Sequence, residues 1–143
     1  MIDTLRFEDI DQVSKIESLC FDYPWTKQNF IDGLNNKELC KSFVCRENNT
    51  VVAFGCIWLL RDKCDVVNIA VAPSSQGKGY GQQILTKLID EARVNKCRNI
   101  HLEVRYCNEP AIKLYKANGF KIVNTKRAYY PNGDDAFDME KSL

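Results

Sequence analysis

Ile10, Val13, Ile16, Leu19 and Cys20 recur at helical spacing and stop before Tyr23-Pro24-Trp25, which predicts a helix followed by a turn. Thr26 is placed to cap a second helix whose apolar positions are Phe30, Ile31 and Leu34. A short strand over residues 2–6 precedes the first helix. Residues 42–47 and 51–60, parted by Asn48-Asn49, read as antiparallel strands, and a third over 65–71 follows Arg61-Asp62-Lys63. The pattern then changes. Ile84, Leu85, Leu88, Ile89 and Ala92 form one helical stripe, whereas Ile100, Leu102 and Val104 alternate with His101, Glu103 and Arg105 as in a strand. Asn108 can cap the next helix, Pro110 fits its first turn, and Gly119 after Asn118 ends it. Residues 120–127 and 136–140 complete the pattern as strands joined through Asn132-Gly133. The expected class is α/β, with a mixed, mostly antiparallel central sheet flanked by about four helices.

Composition narrows this further. A chain of 143 residues, 45% hydrophobic and 27% charged, with no repeat or Pro/Gly/Ser-rich linker, is expected to form one domain over residues 1–143. Twenty basic residues against nineteen acidic ones leave a net charge of +1, without the basic cluster of a nucleic-acid or membrane-surface protein. The apolar run at 51–60 contains Gly55 and falls well short of the roughly 20 residues of a membrane span. The first residues lack a basic stretch followed by an apolar one, so no signal peptide is expected and the cytoplasm is the default location. Seven cysteines, none at CxxC spacing, with His101 as the single histidine, predict reduced thiols and no metal site. Cys107 receives no role.

The candidate chemistry starts where the strand ending at Val71 runs into Gln76-Gly77-Lys78-Gly79-Tyr80-Gly81-Gln82 and then a helix. Glycines let backbone N–H groups approach a phosphate, and a helix N-terminus adds a favourable dipole. The spacing departs from the dinucleotide fingerprint, which needs glycine where Gln82 stands, and from the P-loop, which needs Ser or Thr after the lysine. From the residues alone the segment is an anion cradle or a tight turn.

This segment matches the Q/R-x-x-G-x-G/A signature of the GNAT superfamily of N-acetyltransferases. The chain most closely resembles the RimI-type ribosomal-protein N-terminal acetyltransferases. The likeness extends through Tyr23-Pro24-Trp25-Thr26, Asn68-Ile69-Ala70-Val71, Leu102-Glu103-Val104-Arg105 with Asn108, Ala111-Ile112-Lys113-Leu114-Tyr115, Gly119-Phe120 and Tyr129-Tyr130-Pro131. The resemblance implies the GNAT fold, acetyl-CoA as co-substrate, and the N-terminal amine of a ribosomal protein, at alanine, as acceptor. By the same resemblance Glu103 is the proton acceptor and Tyr115 the proton donor to the departing thiolate. Backbone groups at Ile69, Ala70 and Val71 hold the acetyl carbonyl. Gln76, Gly77, Lys78, Gly79, Tyr80, Gly81 and Gln82 hold the pyrophosphate, Asn108 and Tyr115 lie against the cofactor, and Tyr23, Trp25, Tyr129 and Tyr130 flank the peptide entrance. The loop departs from the family pattern in having no arginine, so backbone N–H groups are expected to carry most of the phosphate binding.

Read without the family, these residues have plainer alternatives. Glu103 is then a strand carboxylate paired with His101 or Arg105, Tyr115 a core tyrosine, and the loop aromatics ordinary packing. Asp134, Asp135, Asp138 and Glu140 either steer a basic peptide or line a solvated strand edge. Acetylation of a small amine or of a lysine side chain, or binding of acetyl-CoA without turnover, are the competing functions. Oligomeric state has no signal in the sequence.

Overall fold

A computed structural model describes residues 2–143. Its centre is a seven-stranded sheet in the order β1-β2-β3-β4-β5-β7-β6. The strands are β1 (Ile2–Thr4), β2 (Cys40–Glu47), β3 (Thr50–Leu60), β4 (Lys63–Val71), β5 (Asn99–Arg105), β6 (Lys121–Lys126) and β7 (Ala136–Ser142). Every neighbouring pair is antiparallel except β4 and β5, which run parallel because the long helix α3 (Tyr80–Val94) crosses between them. Helices α1 (Ile10–Cys20) and α2 (Lys27–Leu34) cover one face of the sheet over β1 to β4. Helix α3 and helix α4 (Glu109–Ala117) cover the other.

The local reasons follow the sequence closely. Thr26 accepts the amide of Asn29 at 3.2 Å, and the Asn29 side chain returns a bond to the Thr26 amide, so α2 begins where its cap stands. In α1, Ile10, Val13 and Ile16 are buried, but Leu19 is 60% exposed and Glu17 occupies the inner position instead. At 100° per residue, position 17 falls between 10 and 13 on the helix face, whereas 19 lies on its flank. The first strand stops at Thr4, short of the expected residue 6, because the Arg6 amide donates to Asp9 and opens a 3-10 turn. Asp9 is itself buried and takes both terminal nitrogens of Arg46 at 2.8 Å, which ties the start of α1 to β2. Burial pushes the Asp9 carboxyl up, but Arg46 and the Arg6 amide outweigh it and hold it below the usual range.

Gly55 lets α3 lie close on the sheet: a Cβ there would stand 2.5 Å from Ile84 Cγ2. All seven cysteines are free, and five of them are buried. Burial pushes the thiols of Cys56 and Cys64 up to about 12, so they act as small apolar residues. The acidic stretch is not a solvated edge. β7 lies inside the sheet between β5 and β6, which buries Asp138 and leaves β6 as the edge.

Candidate active site

The sheet opens at its parallel junction. β4 and β5 pair from Lys63 with Asn99 to Val66 with Leu102, and no further. Beyond that point β4 stays with β3 as far as Val71, while β5 stays with β7 as far as Arg105. The cause lies in β4. Cys56 opposes Asn68 while its neighbour Ile57 opposes Val66, so Val67 is an extra residue, a bulge that turns the strand. The Ala72 amide bonds the Val52 carbonyl at 2.8 Å, and strand alternation then directs the amides of Ile69 and Val71 away from β3, into the opening. Gln76 Nε2 and Cys20 Sγ both donate to the Val71 carbonyl, at 3.2 and 3.3 Å, and fix the strand's end.

The glycine segment follows directly. Gly77 and Gly79 have φ of +81° and +88°, and a Cβ at either would meet nothing within 4 Å. The glycines are therefore required by backbone conformation, and the space above them is open to a ligand. Gly79 immediately precedes α3, so the helix's free N–H groups face that space. Lys78 is exposed beside them. Two neighbours are engaged within the protein. The Tyr80 hydroxyl bonds the Glu47 carboxylate, and Gln82 exchanges two 2.8 Å bonds with Asn118, joining the start of α3 to the end of α4.

Glu103 and Tyr115 are on opposite faces of the sheet. Tyr115 is 6% exposed, within the core beneath α3 and α4, with its ring against Phe120. Burial raises its pKa, so the phenol keeps its proton at neutral pH. Asn108 caps α4 through a long 3.4 Å bond to the Ala111 amide and stays exposed. Glu103 projects to the other side, among polar groups that no helix covers. Its partner is neither His101 nor Arg105. Lys126 Nζ lies 2.5 Å from Oε2, and the Tyr129 hydroxyl donates to Oε1 at 3.3 Å. Lys126 also reaches Asp138 Oδ1 at 3.4 Å, and His101 bridges Asp138 and Asp65 at 2.9 and 3.2 Å. Burial pushes Asp138 up, but Asn124, His101 and Lys126 outweigh it and keep it ionised.

Two loops from distant parts of the chain wall this face. Tyr23 stacks on Tyr130 with centroids 6.4 Å apart, and Tyr130 meets Tyr129 edge-on at 5.2 Å. Arg105, two residues past Glu103, joins the loops. It donates to Asp22 at 2.9 Å, pairs with Asp134 at 3.4 Å, and its guanidinium carbon is 4.5 Å from the Tyr130 ring. Trp25 differs from the three tyrosines. It is half-buried against Phe30, and its amide bonds buried Glu17 at 2.9 Å, so it anchors the loop. Burial raises the Glu17 pKa, with Trp25 and Asn68 pulling the other way; Glu17 Oε1 and Asn68 Nδ2 remain without a well-formed hydrogen bond. Glu17 and Lys126 were given no part by the sequence and had no signal in it; Asn68 and Arg105 stood within the family-like segments, Arg105 as a possible partner of Glu103, and neither was given the role seen here.

The sequence matches the acetyltransferase (GNAT) family over residues 10–120. It is 33% identical over 137 residues to the ribosomal protein bS18-alanine N-acetyltransferase of Escherichia coli K12, spanning 96% of this chain and 91% of that one. The crystal structure of the ribosomal-protein-S18-alanine N-acetyltransferase from Escherichia coli superposes with a TM-score of 0.91 at 32% identity, covering 100% of this chain and 93% of that one. The fold is also that of yncA from Salmonella typhimurium, solved with acetyl-CoA, at a TM-score of 0.87 and 22% identity over 100% of this chain and 93% of that one. With the family match spanning most of its length and a relative at this identity aligned nearly end to end, the chain belongs to the acetyltransferase (GNAT) family.

Proposed function

We propose that this acetyltransferase moves the acetyl group of acetyl-CoA to the α-amine of a protein N-terminus, with the N-terminal alanine of a ribosomal protein as acceptor and the cytoplasm as the place of reaction. One observation carries the reading. The β4–β5 opening connects a face with an anion cradle and a proton-bearing tyrosine to a face with a carboxylate and an aromatic wall.

Acetyl-CoA supplies an activated thioester. The amides beside Gly77 and Gly79 and at the start of α3 bind its pyrophosphate, and those of Ile69 and Val71 donate to the acetyl oxygen. Glu103 takes the proton from the acceptor ammonium, directly or through a water. Tyr115, buried and protonated, returns one to the thiolate. Tyr23, Tyr129 and Tyr130 flank the approach to Glu103 with aromatic rings, which suits a peptide end. An α-amine has a pKa of about 8 and a lysine about 10.4, so near neutral pH a lysine costs roughly 3 kcal/mol more to deprotonate. A single carboxylate base favours the α-amine.

Competing peptides with free and blocked N-termini, each containing a lysine, test the reading by tandem mass spectrometry. Acetyl groups are expected on the free α-amine. Acetyl found mainly on lysine, or equally on the blocked peptide, would overturn it in favour of side-chain acetylation.

A further inference from the structure

Glu103, Asp138 and the face of Tyr129 together make a cation site, and the protein fills it with its own side chain. Lys126 Nζ is 2.5 Å from Glu103 Oε2, 3.4 Å from Asp138 Oδ1 and 5.1 Å from the centroid of the Tyr129 ring. Carboxylates and an aromatic face are also what an acceptor ammonium needs when it reaches the base. An ammonium arriving at Glu103 Oε2 meets Lys126 Nζ already there, and two like charges on one carboxylate oxygen repel.

We propose that Lys126 is a specificity-determining residue that competes with the acceptor's ammonium for Glu103 and thereby sets the acceptor's KM. The identity of the competing cation as an α-ammonium rests on the function proposed above. Lys126 is suited to leave. It ends the edge strand β6, its side chain is 38% exposed, and its long stem turns freely. Asp138 offers a second partner within a short swing of Nζ, so release of Glu103 does not strand the charge. Asp138 also keeps His101 and Asn124 in either position. Arg105, which also faces this site, is held by Asp22 and Asp134, and the His101 ring is held between Asp65 and Asp138. Glu103 raises the pKa of Lys126 through their hydrogen bond, so the competitor stays charged while it is in place. The hold of a partly exposed ion pair is modest, which suits a contact that must be exchanged at each turnover.

Calorimetry in the presence of CoA, which prevents turnover, provides the test. An amidated tetrapeptide beginning with alanine should bind Lys126→Met about three- to tenfold more tightly than the wild type, with Lys126→Arg unchanged from wild type. Affinity for CoA should be the same in all three. Peptide affinity that is unchanged or weaker in Lys126→Met would overturn the proposal. In the wild type, the side-chain nitrogen resonance of Lys126 should shift when the peptide is added and stay fixed with the same peptide acetylated at its N-terminus. A resonance indifferent to the free peptide would also overturn it. If a blocked, lysine-containing peptide is the one that gains affinity, the competition stands and the α-amine assignment falls.

Discussion

β1 to β4 are packed on both faces, whereas β5 and β7 are packed on one and the edge strand β6 is largely exposed. Under α1 and α2, Leu5, Val44, Val51, Phe54, Cys56 and Ala70 make a core that ends at β4. Past the junction the same face carries His101, Glu103, Arg105, Asp138 and Lys126, joined by hydrogen bonds and ion pairs, with Asp138 buried beneath the others. The opposite face is continuous, with Leu88 of α3 in one cluster with Ile100, Leu102 and Met139 of the sheet. One sheet thus combines a doubly packed half with a half whose charged face no helix covers. Burial on both faces fixes the bulged strand, and leaving one face bare lets charged groups remain hydrated and exchange partners.

The largest effect should come from the doubly packed half. Phe54 is fully buried against Phe30, so Phe54→Ala should cost about 3–5 kcal/mol, measured by urea unfolding. That is a large share of the roughly 5–15 kcal/mol that holds a domain together. A loss below about 1 kcal/mol would mean that this half is not the rigid one.

Next in size is the loss of turnover from the proposed proton-transfer pair, Glu103 on the bare face and Tyr115 on the packed one. Glu103→Gln should lower kcat about 100-fold, or roughly 2.7 kcal/mol of barrier, with little change in melting temperature. Tyr115→Phe should match it in rate while losing only a hydroxyl from the core. Early melting with retained specific activity in both variants would turn them into packing residues and erase the functional contrast.

The smallest effect concerns the carboxylate buried in the packed half. An unfolded Glu17 loses its proton near its ordinary value of 4.5, and burial raises the folded value above that. Between the two the folded state binds more protons, so stability falls as pH rises through this window and stays lower above it. Glu17→Gln keeps an acceptor for the Trp25 amide and should remove the fall. A wild type and variant with parallel stability profiles from pH 4 to pH 8 would show that the packed half tolerates this charge after all.

The divided architecture was only half visible in the sequence. Alternation at Ile100, Leu102 and Val104 placed Glu103 on the opposite face, and the stripe from Ile84 to Ala92 placed α3. Thr26 and Asn108 marked the helix starts because capping is a local bond. The bulge at Val67 left no such mark, since it exists only as a register against β3. The partner of Glu103 was hidden for a similar reason. His101 and Arg105 were nearest in sequence on the same face, but β6 arrives two strands away across β7 and delivers Lys126. Leu19 and Glu17 exchanged places because a count of hydrophobic positions does not register that a polar anchor is needed beneath the Trp25 loop.

β6 has a further consequence, for how copies of this chain behave together. An open sheet must end somewhere, and each end shows unpaired N–H and C=O groups to any other strand in solution. At one end β1 is only three residues long. At the other, Ile122 and Val123 are exposed and would suit pairing with a second chain, but Val123 is an extra residue between Ile122 and Asn124 that breaks the regular ladder. Lys121 and Lys126 close the two ends of the strand with charge. Both edges are thus poor templates for aggregation, and the lysine that sits against Glu103 also helps to keep neighbouring molecules apart.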